Sequence, residues 1–231
     1  MPHAELGTVV VTGGASGLGA AIADAVAAEG GTPVVLDRRE PPGEVEHEQV
    51  DLADGRAAEA AVERAAERHG GLDAVVTAAA MDEPAPFDRI APERWERIVL
   101  VNLVGTAAVV RAALPHLERS RGKVVTVGST LGLSAVSDAT AYCASKFGVV
   151  GFTRSLAVET AGRVGVTLLI PGGMQTAFFD GRPEQYRPPA DAQLNRPEDV
   201  AQTVVFALRQ PRGCELREMV VCPSLESSWP P

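Results

Sequence analysis

Tyr142 and Lys146 sit four positions apart in the stretch AYCASK, and the chain is sparing with both residue types. It has two tyrosines, at 142 and 186, and two lysines, at 123 and 146, against nineteen arginines. Residues at i and i+4 of a helix share one face, so the phenol and the ammonium are expected side by side. An ordinary phenol has a pKa of about 10 and is ionised about once in 1,000 molecules at pH 7. Bringing that pKa to neutrality requires roughly 4 kcal/mol of preferential stabilisation of the phenolate. A compact ammonium on a flexible stem supplies the right sign of charge where a planar guanidinium fits poorly. The pair reads as a proton donor and acceptor, Tyr142, tuned by Lys146. The same spacing occurs on ordinary surface helices, so its place in the chain has to decide. Here it follows Ser129 by a single loop.

A second group suits an anion. Thr12-Gly13-Gly14-Ala15-Ser16-Gly17-Leu18-Gly19 lies between a run rich in β-branched residues, TVVVT, and an Ala-rich helical stretch. Glycine permits a sharp strand-to-helix bend and close approach of backbone to a diphosphate. The helix start then offers free N–H groups and partial positive charge. The spacing is G-x-x-x-G-x-G, and taken alone it equally describes a tight turn. Asp37 ends the second apolar run, 24 positions after Gly13. That is close to the ~20-residue offset of a carboxylate that binds a ribose. Such a carboxylate repels a 2′-phosphate, which favours NAD over NADP. Arg38 and Arg39 follow at once; they are either solvated loop charges or a phosphate attraction. Asp51 closes the next strand and either meets an adenine or caps the following helix.

These residues need elements to hold them. Strand-like runs at Thr8–Thr12, Thr32–Asp37, His47–Asp51, Leu72–Ala79, Lys123–Val127, Val166–Ile170 and Glu218–Cys222 alternate with helical patterns. The helices are expected over Gly17–Glu29, Ala57–His69, Pro92–Leu117, Ala141–Thr160 and Pro197–Arg209. Alternation of this kind gives an α/β fold with a parallel sheet covered on both faces. The chain has 231 residues without repeat or linker, so a single domain over 1–231 is expected. The irregular segment Gly172–Arg196 is expected to be a functional loop within it.

Composition narrows the partners. A formal net charge of −9 argues against a nucleic-acid-binding face. The three cysteines and four histidines show neither disulfide nor metal-ligand spacing, so no metal is expected. No secretory signal or uninterrupted membrane-length apolar run is evident, which points to a cytoplasmic protein without a membrane partner.

With these residues in order, the sequence resembles the short-chain dehydrogenase/reductase family. The matching residues are TGGASGLG at Thr12–Gly19, Asp37, Asp51, Asn102 in VNLVG, Ser129 in VGS, Tyr142 and Lys146 in YCASK, and Pro171-Gly172. The resemblance implies a Rossmann-type doubly wound sheet of seven parallel strands in the order 3-2-1-4-5-6-7. It implies a catalytic tetrad of Asn102, Ser129, Tyr142 and Lys146. In that scheme Ser129 steadies the substrate oxygen, Tyr142 exchanges the proton, and Asn102 holds a water linking Lys146 to solvent. Cofactor contacts are implied for Thr12, Gly13, Ser16, Gly17, Leu18, Gly19, Asp37, Asp51, Leu52, Ala79, Tyr142, Lys146, Pro171, Gly172 and Thr176. The implied activity is hydride transfer between a nicotinamide cofactor and a secondary alcohol or ketone. Two alternatives stand beside it: a 3-oxoacyl carrier-protein reductase, and a dinucleotide-binding sensor or scaffold without turnover. One departure is Thr77-Ala78-Ala79-Ala80, where the family has Asn-Asn-Ala-Gly.

The substrate pocket is expected to draw on Met81, Leu131, Leu133, Ser134, Val136, Met174, Phe178 and Phe179. The two phenylalanines read either as a lid or as anchors of their own loop. No arginine cluster converges there in the sequence, so a strongly anionic substrate is not expected. Apolar helices over Ile98–Leu114 and Phe147–Ala157 point to a homodimer or homotetramer, with Trp229 a further candidate for contact with a neighbouring subunit.

Overall fold

The computed structural model describes residues 5–230. Seven strands form one parallel sheet: β1 (Thr8–Thr12), β2 (Thr32–Asp37), β3 (Glu46–Gln49), β4 (Ala74–Thr77), β5 (Lys123–Val127), β6 (Gly165–Pro171) and β7 (Glu218–Val221). Their order is β3-β2-β1-β4-β5-β6-β7, as the sequence implied. The helices are α1 (Gly17–Ala28), α2 (Gly55–His69), α3 (Pro92–Val99), α4 (Thr106–Ser120), α5 (Thr140–Glu159) and α6 (Pro197–Leu208). Alternate residues of one strand serve opposite cores. Val10 packs in the cluster beneath α2 and α4, while Val9 and Val11 pack beneath α1 and α6. Both faces of the inner strands are dry, which is why those strands read as apolar runs.

Three strands are shorter than the sequence suggested; β7 ends one residue early, at Val221. β3 stops at Gln49: Val50 N–H still donates to Asp37 O at 2.9 Å, but Arg39 N–H turns to the Asp37 carboxylate and Asp51 turns toward Arg97. β4 begins only at Ala74, where Asp73 meets both neighbours at its start, its N–H donating to Thr8 O at 2.9 Å and its carboxylate accepting the Thr8 N–H at 2.8 Å.

The expected helix over Pro92–Leu117 is continuous but not uniform. One π-helical turn, Leu100–Gly105, joins α3 to α4. Wide turns of this kind mark places where a side chain must be re-aimed. Here the re-aimed residue is Asn102, whose carbonyl accepts from the Thr106 hydroxyl at 2.9 Å. Gly105 allows the turn to press on the loop before α2, since a Cβ there would lie 2.6 Å from the Leu52 carbonyl oxygen. By length and composition alone this helical run could cross a bilayer. Its apolar side is instead occupied by the sheet: Val109, Ala113 and Leu117 are fully buried.

The loop Gly172–Arg196 is closed at its base. Gln175 N–H donates to Asn195 O, and Asn195 N–H donates to Gly173 O, at 2.9 and 3.0 Å. Two single 3₁₀ turns, Ala177–Phe179 and Glu184–Tyr186, shape its interior.

Lys123 explains one of the two departures from arginine. Its ammonium donates to the carbonyls of Ala207, Leu208 and Gln210 at 3.1, 3.0 and 2.6 Å. Helix α6 ends there, with carbonyls that no helical N–H can reach. Burial lowers the Lys123 pKa, yet three acceptors converge on one nitrogen, which a planar guanidinium cannot match. Replacing Lys123 with Met is therefore expected to cost about 2 kcal/mol of unfolding free energy, within the range for hydrogen bonds to a charged group. Lys123→Arg should recover only part of it. Urea denaturation of the three proteins checks this.

Candidate active site

The strand order reverses between β1 and β4, and a cleft of about 1020 Å³ opens at the carboxyl ends of the strands there. That crevice is where a doubly wound sheet leaves room for a ligand. Gly13, Ser16, Gly17, Leu18, Gly19, Asp37, Asp51, Leu52, Ala79, Ser129, Tyr142, Lys146, Pro171, Gly172 and Thr176 all border it. Two expected site residues do not. Thr12 turns its hydroxyl into the fold, where it accepts the Ala79 N–H at 3.0 Å. Asn102 is 1% exposed and faces Met81.

The glycine turn fits a diphosphate. Gly13 has φ +73°, and a Cβ on it would lie 2.7 Å from Ala79 Cα. A Cβ on Gly19 would lie 2.3 Å from the Gly13 carbonyl oxygen. No side chain caps α1, so its first-turn N–H groups remain free at the cleft. The residues present therefore suit a dinucleotide. At the far end of the turn, Asp37 accepts the backbone N–H of Ala15 at 3.1 Å and of Arg39 at 3.0 Å. Arg39 reaches back and donates from Nη2 to Ser16 Oγ at 2.8 Å.

Asp51 is not the cap of α2. Asp54 takes that role, accepting from Arg56 N and Ala57 N. Asp51 pairs with Arg97 at 2.6 Å. Burial pushes its carboxyl up, but Arg97 and the Ala53 N–H outweigh it and hold the pKa below the usual range.

Tyr142 and Lys146 share a face of α5 as expected, with Nζ 5.6 Å from the ring centroid. The ammonium donates to Val127 O at 2.8 Å. Lys146 is 2% exposed, and loss of water pulls its pKa down to about 8. The expected acidification of the phenol by Lys146 does not appear. Burial pushes Tyr142 up to about 12, against the opposing pull of the Ser129 hydroxyl. Asp82 adds to the rise and Arg182 opposes it. The ammonium faces the ring and a carbonyl, so it counters little of the desolvation.

Asn102 is saturated by other partners. Its Oδ1 accepts the Met81 N–H at 2.8 Å, and its Nδ2 donates to Met81 O at 2.9 Å and Ser145 Oγ at 3.1 Å. Ser145 in turn donates to Tyr142 O at 2.7 Å. Asn102 thus ties the segment after β4 to the helix that carries the tyrosine.

Of the expected substrate-pocket residues, Met81, Leu131, Val136, Met174, Phe178 and Phe179 border the cleft. Leu133 packs instead against the cluster of Val149, Val150, Leu168 and Ile170. Ser134 donates its hydroxyl to Thr130 O at 3.3 Å. Phe178 lies 5.8 Å from the Tyr142 ring, and Phe179 meets Phe178 edge-on.

Sequence reasoning missed three contributors. Arg182 places its Cζ 4.6 and 4.9 Å from the ring centroids of Phe178 and Phe179, and pairs with Asp82 at 3.1 Å. Arg187 also borders the cleft and donates from Nε to Arg182 O at 2.6 Å. The expectation that no arginine cluster converges on this region is thus corrected: Arg182 and Arg187 both border the cleft. The loop's glycines and prolines give only a local signal, and a contact 100 positions apart leaves no spacing signal. The third is the tail. Glu226 accepts the Gly173 N–H at 2.9 Å, and Ser228 donates to Thr130 Oγ1 at 2.7 Å.

Comparison with known proteins agrees with this geometry. The family model described as short chain dehydrogenase matches residues 7–187. The chain is 31% identical over 216 residues to the 3-oxoacyl-[acyl-carrier-protein] reductase of Thermotoga maritima, covering 85% of this chain and 88% of that one. It is 33% identical to the cis-4-hydroxycyclohexanecarboxylate dehydrogenase of Sinomonas cyclohexanicum, covering 85% and 87%. A short chain dehydrogenase from Burkholderia cenocepacia, solved in complex with NADP, superposes with a TM-score of 0.84 at 27% identity, covering 95% and 98%. From the sheet order, the glycine turn and the matched length together, this chain belongs to the short-chain dehydrogenase/reductase family of oxidoreductases.

Proposed function

We propose that the protein interconverts a secondary alcohol and a ketone, with Tyr142 as general acid/base and Ser129 holding the substrate oxygen. The observation that carries this reading is the convergence of Ser129, Tyr142 and Lys146 at the one cleft that also holds the glycine turn. By their names, the Thermotoga and Sinomonas relatives share a carbon bearing an oxo or hydroxyl group. A bound nicotinamide supplies or takes up the hydride and, when oxidised, brings a positive ring to the cleft.

The chain's own groups handle the proton. A phenol with a pKa of about 12 keeps its proton at neutral pH and is a ready donor to an oxygen that gains negative charge. Ser129 favours that charge by hydrogen bonding. Lys146, with a pKa of about 8, carries its charge at neutral pH and loses it above. Asn102 is a positioning residue in this scheme, because its side chain holds Met81 and Ser145.

Asp37 at the end of β2 supports NAD(H) as the preferred cofactor, through hydrogen bonds to ribose hydroxyls and repulsion of a 2′-phosphate. A second reading, NADP(H), has Arg39 in its favour, since its guanidinium already spans from β2 to Ser16. The narrower 3-oxoacyl carrier-protein reductase reading rests on the Thermotoga relative, and the net charge of −9 weighs against docking an acidic carrier. A homodimer or homotetramer is supported by exposed apolar residues Leu100, Val104 and Phe147 on the π turn and α5.

Tyr142→Phe should lower ketone reduction by roughly 10²- to 10⁴-fold while the dissociation constant for cofactor stays within a few-fold. Cofactor binding without turnover by the wild type would favour the sensor reading instead. For Asp37→Ala, the ratio of kcat/KM with NADPH to that with NADH should rise by at least roughly tenfold, the scale of one removed charge repulsion. The pH profile has a definite sign: the charged lysine assists and its pKa is depressed to about 8. Reduction kcat/KM should therefore be flat below about pH 8 and fall above it, and Lys146→Met should remove that limb.

A further inference from the structure

The second of the chain's two tyrosines has no part in the catalytic scheme. Tyr186 borders the cleft, on the 3₁₀ turn Glu184–Tyr186 of the Gly172–Arg196 loop. Its hydroxyl donates to Asp138 Oδ2 at 3.0 Å, across 48 positions. Asp138 lies in the segment that leads into α5, four residues before Tyr142. Its φ is +61°, in the range that favours glycine. Among the described residues the one other non-glycine with positive φ is Arg121, which closes α4. Asp138 closes no helix. A left-handed aspartate persists where its surroundings over-determine it. Two bonds do so here: Tyr186 holds the carboxylate, and the Ala85 N–H holds the backbone carbonyl at 2.8 Å.

The loop meets the opposite wall through three side chains spaced four apart. Phe178 lies 5.8 Å from the Tyr142 ring, Arg182 pairs with Asp82, and Tyr186 bonds Asp138. The Ala85–Asp138 bond joins the Asp82 segment to the start of the tyrosine helix, so all three partners belong to one wall. The contacts are unequal. A ring contact tolerates many geometries. Nε and Nη2 of Arg182 and Oδ1 of Asp82 have no hydrogen-bond partner among the described residues, and a buried ion pair with unmet groups gives little net hold. The phenol–carboxylate bond is the directional, charge-assisted one. Nearer its base the loop lies against the glycine turn, where a Cβ on Gly17 would come 3.4 Å from the Thr176 side chain. The loop therefore touches the diphosphate end of the cleft at Thr176 and the tyrosine end at Phe178 and Tyr186.

We propose that the Tyr186–Asp138 hydrogen bond is the latch that holds this loop on the cleft, sets the rate at which bound cofactor leaves, and seats Phe178 against Tyr142. Tyr186 and Asp138 are positioning residues: neither touches the reacting atoms, and both act through the loop. The left-handed backbone at Asp138 is retained because it delivers the carboxylate to the phenol. Cofactor release depends only on a dinucleotide in the cleft, while the effect on ketones rests on the reductase reading.

Three variants isolate the bond. Tyr186→Phe drops the hydroxyl alone. Asp138→Gly keeps the left-handed backbone and supplies no acceptor. Asp138→Asn keeps an acceptor and tolerates the same backbone. The first readout is release of NADH and of NADPH, followed by stopped-flow fluorescence as excess NAD⁺ or NADP⁺ displaces them. Release from Tyr186→Phe and Asp138→Gly should be roughly 5- to 20-fold faster than from wild type, the scale of one partly exposed charge-assisted bond. Asp138→Asn should stay within about threefold of wild type. The double variant Tyr186→Phe/Asp138→Gly should be no faster than the singles, since the bond is lost only once. Amide hydrogen exchange should quicken across 176–192 in the same variants and stay unchanged in α1, α2 and α4, which a general loss of stability would not produce. Turnover is then followed with cyclohexanone, acetophenone and ethyl acetoacetate. KM for a reduced ketone should rise about as much as cofactor release, with kcat unchanged or raised. Release that is unchanged in Tyr186→Phe, equally fast in Asp138→Asn, or additive in the double variant overturns the latch, as does failure of the wild type to bind either cofactor. Faster release with no ketone reduced by wild type keeps the latch and sinks the reductase reading.

Discussion

The ammonium of Lys146 is kept from water with one backbone carbonyl as its hydrogen-bond partner, and much of the architecture around the cleft keeps it there. That carbonyl belongs to Val127, the last residue of β5. The helix bearing the lysine is pinned to the same strand by a buried hydroxyl pair, Thr126 and Thr153, at 2.6 Å. Gly132 completes the fit: a Cβ at that position would lie 2.8 Å from the Lys146 carbonyl oxygen. Desolvation is the price of this arrangement, and it sets the chemistry by making the lysine less basic and the tyrosine less acidic than in water.

The two lysines make a related point about side-chain choice. Lys123 and Lys146 both donate to backbone carbonyls in places where a guanidinium is too broad. Arginines elsewhere pair with carboxylates near the surface, as Arg64 does with Glu48 and Arg154 with Glu218. The rarity of lysine in this chain is thus informative, since the compact cation occurs only where a point donor is needed.

What the sequence made legible is what lies within one element or across one turn. The i, i+4 tyrosine–lysine pair, the glycine turn and Asp37 at a strand end each carry their meaning in local spacing. The five inner strands were legible because they are largely apolar and buried on both faces, whereas the edge strand β3, EHEQ, carries no apolar residue. Contacts between distant loops left no such trace. Arg182 meets Asp82 only after the sheet has brought the β4 and β6 ends together. Asn102 stands out in sequence as a polar residue inside an apolar helix, but its partners depend on a π turn that no residue pattern announces. Thr12 was picked out because it begins the glycine turn, yet its hydroxyl serves the neighbouring strand's loop. The Asp51 carboxylate was legible as functional or capping and turned out to be ion-paired across 46 positions.

The tail has a consequence of its own. Glu226 accepts the Gly173 N–H at the root of the Gly172–Arg196 loop, and Ser228 donates to Thr130 beside Ser129. These two stitches reach back 53 and 98 positions and join segments that share no strand pairing. Selection acting on a few residues beyond β7 therefore has a lever on both walls of the cleft at once, and sibling enzymes can diverge in reactivity through their last turns while every proton-handling group stays the same.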